Sequence, residues 1–445
     1  MITRCVQDIP EHVDLNNTCS PSEKEVLEGE EQRPAEAAVA IDYKQVKKRY
    51  LVLGLITTAF TSFGQVNQKK YSKKQLSHTD VETVFSYYNQ NNDHSAVTGG
   101  IGTEDLQVYV THLSLDNIKD SVRTVHFDLG FDVISSASTD NIDFVLSSAS
   151  KVDARIYTSL GYSRLLQDKR TTWGMNSSFS IESDYLSWGQ SFSINHLSEN
   201  QSREFSAALQ MYFDDLRWGR YQFDGTRELV YPSELRTTKW FDNYRRNSYN
   251  LALGLYQSIN RRMALGIYPG LTYQSGLLST PFHRVYFADN SKQVEKLPGR
   301  RLKLPIGIQL NTFIGTRWIL RTYYRYYWDD FGISGHTLNL EVPFKASRVL
   351  TLTPFVRLYS QNGSDFFKPY AMHAISQEFF TSDYDLSNFK STATGLGFRY
   401  APYFNKGRTT FKALDLRFTH YERSDGMIAN TITLLINYDK EQKPE

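Results

Sequence analysis

The sequence predicts an all-β protein, a transmembrane antiparallel β-barrel of about 16 strands, with 14 as the alternative count. Three observations predict it. From about residue 80 to the C-terminus, apolar and polar residues alternate in one short run after another. Aromatic residues, 14% of the chain with 29 Tyr and 27 Phe, gather near the ends of those runs. Long irregular stretches alternate with very short ones between them. No stretch after residue 66 approaches the ~18 apolar residues of a membrane helix, whereas a barrel strand needs apolar residues only at alternate positions.

The run from Arg317 to Trp328 shows the pattern most clearly. Trp318, Leu320, Thr322, Tyr324, Tyr326 and Trp328 share one face, and Ile319, Arg321, Tyr323, Arg325 and Tyr327 share the other. A barrel turns the first face to lipid and the second to its lumen. A soluble sandwich or propeller also alternates, but it has no use for so many Trp and Tyr on the apolar side of one strand. Tyr438, at the tip of the last run with Ile432, Leu434 and Ile436, completes the expected aromatic girdle.

The other runs follow in order. Val125 to Val133 alternates with His126, Asp128 and Asp132, and Val152 to Tyr162 alternates with Asp153, Arg155 and Tyr157. Leu302 to Leu310 opposes Lys303, Leu338 to Phe344 opposes Glu341, and Leu352 to Leu358 opposes Arg357. Leu414 to Phe418 opposes Asp415 and Arg417. Asn260-Arg261-Arg262, Gly315-Thr316 and Ala346-Ser347-Arg348 read as tight periplasmic turns, and 215–246, 277–300 and 362–388 as long extracellular loops. Pro305, Pro343 and Pro354 lack the ladder donor and are expected at bulges or strand ends.

The expected barrel domain is 80–438, after a short segment at 65–79 and before a polar tail at 439–445. Residues 46–64 join a basic flank to an apolar run, Leu51 to Phe60, and small residues at Ser62 and Gly64, the pattern of a secretory signal peptide. Residues 1–45 are expected to be a disordered acidic extension, because 1–40 hold nine acidic and three basic residues and lack aromatics. The hypothesis that fits this order is a start at Val46; a cellular peptide mapping to 1–40 would defeat it. Both cysteines, Cys5 and Cys19, precede the signal, so no disulfide and no lipid anchor are expected after it. Beyond residue 64 the chain keeps 43 Lys and Arg against 38 Asp and Glu, a formal +5 too dispersed to signal nucleic acid.

Three segments also carry a resemblance: Asp93-His94 to Leu106 with its Gly-Gly-Ile-Gly-Thr-Glu core, Ile134 to Asp153, and Ser279-Thr280-Pro281-Phe282-His283-Arg284-Val285-Tyr286-Phe287. Together they resemble a family of uncharacterised Gram-negative envelope proteins, catalogued as a domain of unknown function and thought to be outer-membrane barrels. The resemblance spans about 78–438. It implies an envelope redox setting, since such proteins are often encoded beside a flavin transferase and a thioredoxin-like protein. It supplies no catalytic residues.

Read physically, Gly99, Gly100 and Gly102 before Glu104 make a turn with exposed amides, for an anion or simply between two strands; no Lys-Ser or Lys-Thr follows, as a phosphate loop requires. Asp140, Asp143 and Asp153, among clustered Ser, offer oxygen ligands at spacings that match no calcium motif. His283 and Arg284 either line a cleft at the barrel mouth or pack within their own loop. Arginines interleaved with aromatics from Leu216 to Asn247 suit either an anionic glycolipid or a solvated loop. His112, His196, His336 and His420 stand near Ser or Thr, as chance allows in such a chain. No metal site, cofactor or enzymatic activity is expected.

The lumen is the expected functional surface. The alternation assigns to it Asp128, Asp132, Asp153, Arg155, Lys303, Arg321, Arg325, Glu341, Arg357, Arg399, Asp415 and Arg417, with Arg321, Arg325 and Arg357 as a basic ladder. Charges paired across the interior would close it, whereas charges segregated into two arcs would make a polar channel with a transverse field. The expectation is a porin-like channel for small polar or anionic solutes, embedded in outer-membrane lipid. The alternative is a closed barrel that scaffolds or docks a periplasmic redox or flavin-linked protein.

Overall fold

The computed structural model describes residues 77–136, 152–182, 185–216, 219–221, 227–229, 244–281 and 283–441. The sequence beyond these includes the expected signal peptide, the acidic extension, Asp140, Asp143 and most of the Leu216–Asn247 segment. Sixteen long strands form the barrel. In chain order they are β1 (His78–Asn91), β2 (Leu106–Lys119), β3 (Arg123–Ser136), β4 (Val152–Leu165), β5 (Thr171–Ile181), β6 (Leu186–Leu197), β7 (Arg203–Asp215) and β8 (Arg245–Asn260). The second half comprises β9 (Met263–Gly276), β10 (Arg300–Ile314), β11 (Trp318–Asp329), β12 (Ser334–Glu341, resumed at Phe344–Lys345), β13 (Leu350–Asn362), β14 (Phe389–Tyr400), β15 (Thr409–Arg423) and β16 (Ile428–Glu441).

Each strand pairs antiparallel with the next, and β1 pairs with β16 from His78↔Glu441 to Asn91↔Ile428, which closes the sheet. Closure leaves no edge, so every ladder group has a neighbouring strand. Pairing runs on through Asp439, Lys440 and Glu441, residues read from the sequence as the start of a tail. Among the described residues, no helix is long and apolar enough to cross a membrane.

Alternation sets what faces out. Val125, Leu129, Phe131, Leu160, Phe192, Leu271, Ile306, Ile308, Leu358 and Phe418 are exposed on the outer wall, the polar residues between them turning inward. A band of exposed aliphatic and aromatic side chains around a closed sheet is stable only against an apolar medium. Trp318 and Trp328 stand on this outer face at the two ends of β11. Ten residue steps span about 33 Å of strand, or about 25 Å of height at a tilt of about 40°. Tyr324 and Tyr326 share that face and both pack on the His336 ring.

The three prolines are accommodated in different ways. Pro343 stands at the break in β12, where Ile319 N donates to its carbonyl at 3.0 Å. Pro305 and Pro354 lie inside strands rather than at their ends. Pro305 pairs with Tyr327 on one side, and on the other the β9 ladder lapses between Pro269↔Ile306 and Thr272↔Lys303. Gly270 makes room there, since a Cβ would stand 2.9 Å from Pro305 Cγ. Pro354 pairs with Leu396, and β12 breaks on its other side, so the missing donors fall where the ladder is already interrupted.

At one end of the barrel, where β1 starts and β16 ends, every connection is short, including 261–262, 315–317 and 346–349. The long connections lie at the other, as expected. Apolar clusters form at that second end: Tyr88, Leu106, Val108, Val110, Ile134 and Ala429 in one, Leu297, Tyr327, Phe331, Ile333 and Leu386 in another, and Val285, Phe287 and Phe380 in a third. A sixteen-stranded barrel is wide enough for an aqueous lumen, so packed apolar residues at its mouth mean that connections fold into it.

Candidate functional site

Charge on the inner wall is segregated. At mid-wall, strands β10–β15 carry Arg321, Arg325, Arg357, Arg399 and Arg417 against Glu341 and Asp415, while Lys303, nearer the mouth, stands opposite Asp329. Strands β1–β4 and β16 carry Asp80, Glu82, Asp116, Asp128, Asp132 and Asp439 against Arg155. Between these arcs, β5–β9 present mainly Ser, Asn, Gln and Tyr, such as Ser178, Ser191, Gln210, Asn250 and Tyr268. In a closed barrel of 16, β3 stands opposite β11. Asp128 lies as far from its short turn as the midpoint of Arg321 and Arg325 does from theirs, so the arcs face each other at one height.

Pairing is local and stays within each arc, except where Lys412 on β15 reaches Asp80 on β1. Arg321 Nη1 lies 3.7 Å from Glu341 Oε2, Arg417 Nη2 donates to Glu341 Oε1 at 2.8 Å, and Arg399 Nη1 donates to Asp415 Oδ2 at 3.0 Å. Arg155 stands 3.9 Å from Asp132 and 3.4 Å from Glu182. The Asp153 side chain falls outside the described residues. Nearer the mouth, Arg301 Nε donates to Asp329 at 3.0 Å and Arg246 Nε to Asp214 at 3.0 Å. Neither pair was read from the sequence, although each residue lies on the lumenal face that the alternation defines.

Lumenal tyrosines lie against the wall. The Tyr157 ring fills the place of a Cβ on Gly130, Tyr323 that on Gly307, and Tyr359 that on Gly335. A glycine opposite each ring lets it lie flat instead of projecting into the lumen.

The first and third resembling segments build much of the cap. In the β1–β2 connection, Gly99, Gly100 and Gly102 take φ of 72°, 88° and 93°, the left-handed region open to glycine. They do not form the expected tight inter-strand turn; they belong to a packed loop. A Cβ on Gly99 would meet Tyr286 Cδ2 at 2.5 Å, and one on Gly100 would meet Tyr384 Cε2 at 2.9 Å. Arg284 N donates to Val97 O at 3.2 Å, so the first and third segments bond directly. His283 and Arg284 are both buried within the cap.

The β13–β14 connection completes it. Phe287 bridges to His373 and Lys296 to Phe380, while Glu295 accepts from Thr381 Oγ1 at 2.5 Å and from Thr280 N at 2.6 Å. Arg423 Nη1 donates to Asp385 Oδ1 at 2.7 Å, and Gln361 Nε2 donates to Asp385 O at 2.9 Å. Arg423 and Gln361 face inward, so the connections bonded to them fold into the mouth. Glu104 accepts from Ala96 N at 2.6 Å; burial, then the Asp385 charge, pushes its carboxyl up to about 8. Asp383 is raised by the same two causes.

Two other groupings have site-like composition. Ser163 Oγ lies 3.0 Å from His126 Nε2, and His126 Nδ1 lies 2.5 Å from Asp116, the connectivity of a hydrolase triad. Acyl transfer needs donors around a developing oxyanion, and this trio sits in the acidic arc beside Asp128, which opposes one. It is a wall network. His78, Asp80 and Asp439 place one ligand atom each within 4.8 Å of one another, but the Lys412 ammonium already pairs with Asp80.

Fold and wall together define an outer-membrane-type β-barrel with a polar, charge-segregated lumen. Residues 135–434 match the family described as Protein of unknown function (DUF3570), and the chain belongs to that family. Among solved structures, it is similar to a bacterial polysaccharide outer membrane secretin at 8% identity, covering 84% of this chain and 100% of that one, with a TM-score of 0.43. OccK1 (OpdK) of Pseudomonas aeruginosa is similar at 9% identity over 82% and 99%, TM-score 0.37. OccAB4 of Acinetobacter baumannii is similar at 11% over 83% and 99%, TM-score 0.38. No curated protein matches the sequence.

Proposed function

We propose that this protein is a channel of the outer membrane for small polar or anionic solutes. The observation that carries the reading is the segregation of lumenal charge, with Arg321 and Arg325 on β11 across the lumen from the acidic β3 and its neighbours. A structural wall gains most from opposite charges on neighbouring strands, where each cancels its neighbour. Opposed arcs leave a field across the lumen, which orients and sorts charged solutes in transit. Export through the signal at 46–64 and a girdle of Trp318, Tyr324, Tyr326, Trp328 and Tyr438 in lipid belong to the same reading. The test is single-channel conductance of the purified protein in a planar bilayer. Stable unitary steps whose anion preference falls in Arg321→Ala support it; a folded, silent barrel sinks it.

The cap favours a second reading. Three connections locked into the mouth suit a barrel that stays closed and serves as a scaffold or dock for a periplasmic redox or flavin-linked protein. A silent barrel that retains such a partner on mild extraction would select it.

A further inference from the structure

We infer that Asn311, Arg321 and Arg417 form an oxyanion-binding subsite on the basic arc, a station for the carboxylate, sulfate or phosphate group of a small solute. The inference rests on the channel reading above and names the chemistry its basic wall recognises.

Asn311 on β10 registers directly opposite Arg321 on β11, and both face the lumen. Arg417 arrives from β15, and both guanidiniums converge on Glu341, at 3.7 Å and 2.8 Å. Two cations around one carboxylate leave a net positive charge. Three donors along this stretch of wall have no acceptor within the protein: Asn311 Nδ2 and Arg321 Nε, on residues paired across β10 and β11, and Arg417 Nε, on the side that leads back to β15. Asn311 is 2% exposed and Arg417 6%. Buried N–H groups are ordinarily paired, and those of a guanidinium lose most by being left unpaired. All three are donors, so what they lack is an acceptor.

Glu341 shows the shape of that acceptor. Its carboxylate sits as a solute oxyanion would, between two guanidiniums from different strands, accepting from Arg417 and at ion-pair distance from Arg321. The Phe355 ring lies 3.8 Å from the Arg417 guanidinium carbon and holds that fork in place. A solute oxyanion then either joins Glu341 between the forks or displaces it, engaging the donors it leaves unmet. Across the lumen, Arg155 already stands between Asp132 and Glu182.

The experiment is equilibrium binding to the purified full-length protein in detergent at low ionic strength. The probes are inorganic phosphate and acetate, and folding is checked by circular dichroism. Saturable binding of either probe is expected, phosphate marking a tetrahedral preference and acetate a planar one. Asn311→Leu and Arg417→Met should weaken it at least tenfold, and Arg155→Met, on the opposite arc, should leave it unchanged. Glu341→Gln removes the internal competitor and should tighten binding several-fold, a gain that misfolding cannot produce and that decides the matter if Arg417→Met does not fold. Absence of saturable binding by the folded protein, or weaker binding in folded Glu341→Gln, overturns the subsite. A barrel that binds but never conducts sinks the channel reading alone; one that conducts anions but does not bind sinks the subsite alone.

Discussion

Arg417 donates to Glu341 at 2.8 Å although the two residues stand three strands apart on the barrel wall. The side chain spans the gap because β14 has no side chain in its path at Gly395, where Phe355 lies under the guanidinium. A Cβ on Gly395 would collide with the Phe355 ring and the Phe418 carbonyl. Gly395→Val should therefore destabilise the barrel by about 1–3 kcal/mol, the usual cost of overpacking. At Gly397 the nearest atom to an added Cβ is Thr353 Cβ at 3.4 Å, so Gly397→Ala should be tolerated. Urea unfolding of the two variants, followed by tryptophan fluorescence, separates them.

The opposed arcs make a signed prediction. Asp128→Asn removes charge from the acidic wall and Arg325→Met from the basic one, at comparable heights. Under a salt gradient the first should shift the reversal potential toward anion preference and the second toward cation preference. Both shifts should shrink as ionic strength rises and the Debye length falls below the lumen radius. Shifts of the same sign, or none, would mean that the lumen is not the conducting path.

How much of this was legible in the sequence follows from what each feature depends on. The strand Arg317–Trp328 declared its two faces through a period of two, which depends only on local geometry, and one residue of slip would have put Arg321 in lipid. Arg357 and Lys303 were placed on the lumenal face by the same rule. The convergence of Arg417 on Glu341 was not legible, because it depends on how three strands curve past one another. The cap was half legible. Gly99, Gly100 and Gly102 announced a positive-φ turn, but that it closes under Tyr286 and Tyr384 depends on contacts nearly 200 and 300 residues away in sequence. Ser163, His126 and Asp116 carry no motif spacing at all, and only the barrel brings them together.

The outer face gives a test of the membrane reading. Trp318 and Trp328 end the same strand on its lipid side, about 25 Å apart in height. Variants with Trp328 or Trp318 replaced by Phe should differ in fluorescence quenching by brominated lipids, each losing a signal from one interface, both shallow. Quenching strongest at the bilayer centre for either position would overturn that placement.

Gly100 tests whether the cap restricts the mouth. At φ of 88°, with Tyr384 Cε2 2.9 Å from an added Cβ, Gly100→Ala is strained in its backbone and in its packing. The cap should loosen while the strands hold. Limited proteolysis should cut faster within 277–299 and 363–388, and unitary conductance should rise. Faster cutting without a change in conductance would show that the cap folds at the mouth without narrowing it.

Glu104 gives the cap a pH dependence whose sign can be worked out. Burial and Asp385 raise its carboxyl from 4.5 to about 8, and Asp383 is raised in the same way. In the loosened cap Glu104 returns to about 4.3. A group whose folded value is raised binds its proton more tightly in the folded state, so its contribution is complete below about 4.3 and declines as pH rises toward 8. Above that it is lost, because a carboxylate must then be held beside Asp385 and Asp383 with Arg423 as the nearby cation. His283, 3.8 Å from Glu295, also stands near Asp383. Proteolysis of the cap connections should accelerate between pH 6 and 8. Glu104→Gln, which keeps a side-chain acceptor for Ala96 N without a charge, should flatten that rise and protect the cap at pH 8. A variant whose profile matches the parent would assign the pH dependence to Asp383 instead.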